Sequence, residues 1–121
     1  MHEIALAEAI WRQVDAAMEG RKGRVSAIQI VVGAFSGADP ESLEFALGLG
    51  AKDSAWPEAA IRIRREPLAV RCKPCGRKFE PEHLSFRCPA CGAKDVEISK
   101  GRDLVLESLE VIEDDDDQTT I

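Results

Sequence analysis

Four cysteines, Cys72, Cys75, Cys88 and Cys91, constrain this 121-residue chain more than any other feature. They form two Cys-x-x-Cys-Gly knuckles. Two residues between cysteines let both sulfurs of a tight turn face one ion. The glycine that follows, Gly76 or Gly92, supplies backbone freedom just after the second ligand. Two such turns complete a tetrahedral sulfur shell with zinc–sulfur distances near ~2.3 Å. Pro74 and Pro89 stiffen them. Four cysteines also admit two disulfides, in any of three pairings. The chain reads as cytoplasmic, because its start lacks a basic stretch leading into an apolar one, and thiols there stay reduced. Metal is therefore the expected partner. A mononuclear iron centre uses the same knuckles. Few aromatic or apolar residues stand nearby to shield a redox centre, which favours zinc. Four thiolates leave no open position for water, so this Zn(2+) is expected to be structural.

Charge marks the cysteine segment as a separate part. The net charge of −6 hides three blocks. Residues 1–60 carry 5 Lys/Arg against 9 Asp/Glu, residues 61–102 carry 11 against 5, and residues 103–121 carry none against 8. All four cysteines lie in the basic block. A zinc ion held by four thiolates adds a formal −2 and brings that block from +6 to about +4. No apolar run approaches the ~20 residues of a membrane span.

On either side of this segment the hydrophobic pattern is that of a small α+β fold. From Ile4 to Met18, apolar Ile4, Ala7, Trp11, Val14 and Met18 recur at helical spacing, widened by Leu6, Ile10 and Ala17, with Gly20 as C-cap. Arg24–Phe35 predicts a strand with Ile28, Ile30 and Val32 on one face and Ala27, Gln29 and Val31 on the other. Asp39-Pro40-Glu41 predicts an N-cap and first turn. The helix that follows has Leu43, Ala46 and Leu47 as its apolar face, Phe45 and Leu49 flanking it, and Gly48 and Gly50 ending it. Ala60–Arg65 alternates Ile61 and Ile63 inward with Arg62 and Arg64 outward. Asp103–Ile112 predicts a third strand, whose phase shift near Ser108-Leu109 marks a bulge. The expected architecture is two helices packed on a three-stranded sheet, with an inserted four-cysteine zinc-ribbon-like module. Residues 1–66 plus 101–112 form the α/β part and 67–100 the zinc-binding insert. Pro67 and Gly101 stand at its exit and return, and 113–121 is an acidic disordered tail.

The insert admits a second use. Arg71, Lys73, Arg77, Lys78 and Arg87 surround the knuckles, as in a nucleic-acid-binding zinc ribbon or an adaptor for an acidic protein. Phe79 and Phe86 suit either stacking on bases or covering a small zinc core, and the second reading is preferred. No nucleophile–base pair stands out, and Ser36 and Ser85 have no evident base. An enzyme is not expected.

The N-terminus, Met1-His2-Glu3, carries the other chemical signal. A histidine next to a free amino terminus chelates through the terminal amine, its own deprotonated amide and its imidazole. Those nitrogens close adjacent rings in one plane, which suits Ni(II) or Cu(II).

Met1-His2-Glu3 opening an amphipathic helix, Val32-Gly33-Ala34-Phe35-Ser36, Pro40-Glu41-Ser42-Leu43-Glu44-Phe45-Ala46 and the twin knuckles, in that order, resemble the HypA/HybF family. The resemblance runs from Met1 to about Val111. It implies a nickel metallochaperone for [NiFe]-hydrogenase maturation, with Ni(2+) as transient cargo and structural Zn(2+) on Cys72, Cys75, Cys88 and Cys91. It places nickel on His2 with Glu3 beside it. The implied partners are the hydrogenase large subunit and a nickel-binding GTPase, without nucleic acid or membrane, the chain itself being a monomer or weak homodimer. Some relatives carry histidines beside the zinc cysteines. Here glycine follows both knuckles and the only other histidine is His83, so an acid-driven exchange of zinc ligands is not implied.

Overall fold

The structure is a computed structural model that describes residues 2–81, 85–113 and 118–120, with the backbone alone described for His2 and for 118–120. Helix α1 (His2–Met18) is followed by strand β1 (Arg24–Gly33), helix α2 (Pro40–Lys52) and strand β2 (Ala60–Glu66). Strands β3 (Ala69–Cys72), β4 (Lys78–Phe79) and β5 (Val96–Lys100) come next, then β6 (Leu104–Ile112) and β7 (Gln118–Thr120). Two sheets result, one in the order β2-β1-β6-β7 and one in the order β4-β3-β5.

The first sheet is mixed, with β1 parallel to β2 and antiparallel to β6. The helices cover one face of it. Ala7, Ile10, Trp11, Val14 and Met18 of α1 and Leu43, Ala46, Leu47 and Ala51 of α2 are buried with Ile28, Ile30, Val32, Leu109 and Val111. That core follows the expected stripes with two departures: Ile4 is 64% exposed, and Ala17 is exposed. The phase shift in β6 lies at Glu107, where Ser108 faces Gln29 but Leu106 faces Ile30. The extra residue turns Leu104 and Leu106 on one side of it, and Leu109 and Val111 on the other, toward the same core. A second irregularity falls at Ser26, whose hydroxyl donates to the Glu110 carbonyl.

Among the described residues no helix covers the far face of this sheet, yet Ala27 and Val31 are buried there. Their cover comes from across the strands. Arg62 of β2 reaches Glu110 of β6 at 2.7 Å, and Arg64 reaches Glu107 at 2.9 Å. Both pairs pass over β1, so aliphatic stems of long charged side chains shield its small residues.

Three expectations change at element ends. Strand β1 stops at Gly33, because the Ala34 and Phe35 amides turn to donate to the carbonyls of Glu66 and Gly101. The acidic tail is in part a strand, since β7 pairs with the end of β6. Residues 114–117 lie outside the described residues. Helix α2 continues past Gly48 and Gly50 to Lys52. Its start is as expected: the Asp39 side chain accepts from the Ser42 amide and hydroxyl at 3.1 and 2.7 Å. Those bonds, hydroxyl first, hold the Asp39 carboxyl below its usual pKa.

Gly50 has a packing role. The Trp11 indole donates to the Leu47 carbonyl at 3.1 Å, and a Cβ on Gly50 would stand 2.9 Å from that indole. Nothing approaches a Cβ on Gly48 within 4 Å. Gly48→Ala should therefore gain the ~0.5–1 kcal/mol by which alanine exceeds glycine in a helix. Gly50→Ala should instead lose ~1–3 kcal/mol by overpacking Trp11. Urea unfolding of both variants checks this, and an equal gain from each would show that Trp11 yields freely.

Candidate metal centres

The cysteine cluster is assembled by two turns of the same build. In the first, the Gly76 amide donates to the Cys72 carbonyl at 2.8 Å, and in the second the Gly92 amide donates to the Cys88 carbonyl at 2.9 Å. The Cys72 amide donates to Arg77 and the Cys88 amide to Ala93, which closes each loop behind its glycine. Gly76 and Gly92 have φ of 79° and 75°, and no atom lies within 4 Å of a Cβ at either. Conformation, not space, calls for glycine there.

Cys72 ends β3, which pairs with β4 through Val70–Phe79 and with β5 through Val70–Ile98. These short strands hold the first knuckle. The sulfurs of all four cysteines lie within 4.8 Å of one another. Cys72 and Cys91 are 3.5 Å apart and Cys75 and Cys88 3.7 Å, far beyond a disulfide bond. A regular tetrahedron with zinc–sulfur distances of ~2.3 Å has edges of about 3.8 Å. The donor set thus has the size and chemistry for zinc. Cys72 and Cys88 are buried, whereas Cys75 and Cys91 are exposed. Acidity differs within the set. The Cys91 amide, then the Ala90 amide and neighbouring thiols, outweigh burial and draw Cys88 down to about 6. At Cys72 the Cys75 amide acts in the same sense, but burial and three neighbouring thiols prevail and push it up to about 12.

The insert is tied to the α/β part where β1 ends. The Gly33 amide donates to Asp103, Ala34 to Glu66 and Phe35 to Gly101, at 3.0, 2.9 and 2.7 Å. A Cβ on Gly33 would meet Gly101 at 2.5 Å, and one on Gly101 would meet the Pro67 carbonyl at 2.5 Å. The chain entering the insert and the chain leaving it are thereby held to one turn. Phe35 also meets Phe86 edge to face, with centroids 6.1 Å apart. Phe86 therefore braces the insert against the body, a role that its place in the sequence does not signal.

The basic block also divides. Arg62, Arg64 and Arg65 belong to β2, where Arg65 lies 3.8 Å from Glu41. Residues 67–100 retain 7 Lys/Arg against 4 Asp/Glu. Within them Arg71 pairs with Glu97, Lys73 lies 3.7 Å from Asp95, and Arg87 donates to the Gly92 carbonyl. These ties engage three of the seven cations of this segment.

At the other expected site, α1 starts at His2. Met1, the His2 side chain and His83 lie outside the described residues. Glu3 lines a depression with Asp39 and Glu41, which brings the start of α1 to the start of α2. The Asp39–Glu41 segment reads from sequence only as a helix start. Among the described residues, the four cysteines form the only group of three or more potential metal ligands gathered in this way.

Removal of zinc should act locally. In hydrogen exchange after chelation, the amides of Cys72, Gly76, Cys88 and Gly92 should lose protection while Ile28 and Ile30 keep theirs. Equal loss in both sets would mean that the insert and the body unfold as one.

Comparison with known proteins agrees with this arrangement. Residues 1–111 match the family described as hydrogenase/urease nickel incorporation, metallochaperone, hypA. The hydrogenase maturation factor HypA of Francisella philomiragia is 36% identical over 109 residues, covering 90% of this chain and 97% of that protein. The factor of the same name from Aquifex aeolicus is 30% identical, over 92% of this chain and 97% of its own. The solution structure of the nickel metallochaperone HypA from Helicobacter pylori shares the fold, with a TM-score of 0.68 over 94% of this chain and all of that one at 23% identity. No helix among the described residues is long and apolar enough to cross a membrane. With its two knuckles, its helix-covered sheet and a match from residue 1 to 111, the chain belongs to the HypA family of non-enzymatic nickel metallochaperones for hydrogenase maturation.

Proposed function

We propose that this chain carries Ni(II) on its N-terminal residues and passes it to the large subunit of a [NiFe]-hydrogenase, working with a nickel-binding GTPase. The observation that carries this reading is the family match, which begins at residue 1 and runs through both knuckles. The His2 imidazole is the principal side-chain ligand. The terminal amine and nearby amide nitrogens complete the plane, and Glu3 stands beside it. Zinc is resident on Cys72, Cys75, Cys88 and Cys91, where its closed shell fixes the insert and takes no part in nickel exchange. Two donor classes keep the metals apart: thiolates hold zinc, while a planar set of nitrogens suits Ni(II).

Nickel held at a chain end is open to a partner on several sides, as transfer requires. Imidazole and amide must lose protons before they bind, so nickel affinity falls as pH falls. Calorimetric nickel titration tests the site in the native chain, in His2→Ala and in a chain extended before Met1. Each variant should lose at least about tenfold in affinity, or ~1.4 kcal/mol, with zinc content constant. Unchanged nickel affinity in both variants would overturn the assignment.

A further inference from the structure

The outer side of the two helices is apolar where nothing in the fold requires it. Ile4, Phe45 and Leu49 are 64%, 69% and 49% exposed. They lie outside the buried faces of their helices, which use Ala7, Trp11 and Val14 on α1 and Leu43, Leu47 and Ala51 on α2. Together they line two adjoining depressions of about 510 and 430 Å³ that share Ile4, Ala46 and Leu49. The lining of α1 runs from Ile4 to Asp15, on the order of 16 Å at helical rise.

The charges along this groove are strongly one-sided. Glu3, Glu8, Asp15, Asp39, Glu41 and Asp53 line it, against Arg12 as the one cation among the lining residues and Arg65 beside them, 3.8 Å from Glu41. A second copy docked through the same face would oppose these carboxylates to themselves. A nucleic-acid backbone would be repelled in the same way. An apolar floor between acidic walls instead matches a helix with an apolar stripe flanked by Lys and Arg.

We propose that the α1–α2 groove is the docking site for a basic amphipathic helix of a partner protein. The apolar stripe of that helix rests on Ile4, Phe45 and Leu49, and its cations face the acidic walls. About three turns of helix fill the length available. The groove ends at Glu3, so a partner seated in it stands beside the N-terminal residues. The docking itself needs no nickel, so its test is independent of the cargo assignment.

The probe is a synthetic Leu/Lys amphipathic helix of about four turns, titrated into the full-length, zinc-loaded protein and followed by amide chemical shifts. A peptide with the same leucine stripe and Glu for Lys is the control. Shifts should cluster at Ile4, Phe45 and Leu49, and binding should weaken with salt. The Leu/Glu peptide should bind at least about tenfold more weakly. Phe45→Asp is decisive: it removes an exposed apolar side chain, so folding should be unaffected, and it adds a carboxylate to the groove. Docking on the groove predicts at least about tenfold weaker binding of the Leu/Lys peptide. Unchanged or tighter binding would reduce the interaction to charge attraction alone and overturn the proposal. Shifts centred on the cysteine insert would overturn it too. So would concentration-dependent dimerisation of the free protein that Phe45→Asp abolishes, which would assign the groove to a second copy.

Discussion

Four thiols whose sulfurs lie within 4.8 Å of one another cannot all ionise unless a cation sits among them. Burial and that crowding push Cys72 up, while the Cys91 amide draws Cys88 down. A divalent ion reverses the effect of crowding and makes four thiolates the favoured state. The fold of the insert depends on this, because residues 67–100 bury only Leu68, Val70, Cys72 and Cys88 among their described members. So small a core does not offset the entropy of ordering the segment, and a metal supplies what apolar area does not. The brace between Phe86 and Phe35, and the backbone knot at Gly33 and Gly101, then carry that order to the end of β1.

The α/β part is stable by different means. Its core is a continuous apolar layer between two helices and three strands, with Trp11 seated against Gly50. Among its described residues no group of three or more potential metal ligands is gathered, and the nickel site proposed above stands apart from that core, at the start of α1. On that proposal, resident zinc and transient nickel occupy parts with different donor chemistry. The acidic, apolar-floored groove lies beside the start of α1, and Arg62 and Arg64 of β2 lie on the other face of the sheet, paired with Glu110 and Glu107.

Much of this is legible in the residues. The knuckles announce their own geometry, because Cys-x-x-Cys-Gly permits few other turns. Periodicity marks both helices and all three principal strands, and the broken alternation of Asp103–Ile112 locates the bulge to within one or two residues. Long-range features are harder to read. Gly50 resembles a helix end because glycine has low helical propensity, whereas its missing Cβ is required by an indole 39 positions earlier in the chain. Strands β3, β4 and β5 are too short for alternation to register, with 4, 2 and 5 residues. The charge of the middle block misleads for a related reason: a linear count cannot separate β2, which pairs with β1, from the insert that follows it. Phe86 is aromatic near a zinc knuckle, and only the folded chain brings Phe35 to it.

On the proposed function, two metals occupy two chemically distinct sites. X-ray absorption at both metal edges of the protein loaded with zinc and nickel tests it most directly. The zinc edge should report four sulfurs at ~2.3 Å, unchanged on adding nickel. The nickel edge should report nitrogen and oxygen donors with imidazole scattering and no sulfur. Sulfur in the nickel shell, or loss of sulfur from the zinc shell as nickel binds, would contradict the separation and place both metals on the cysteines.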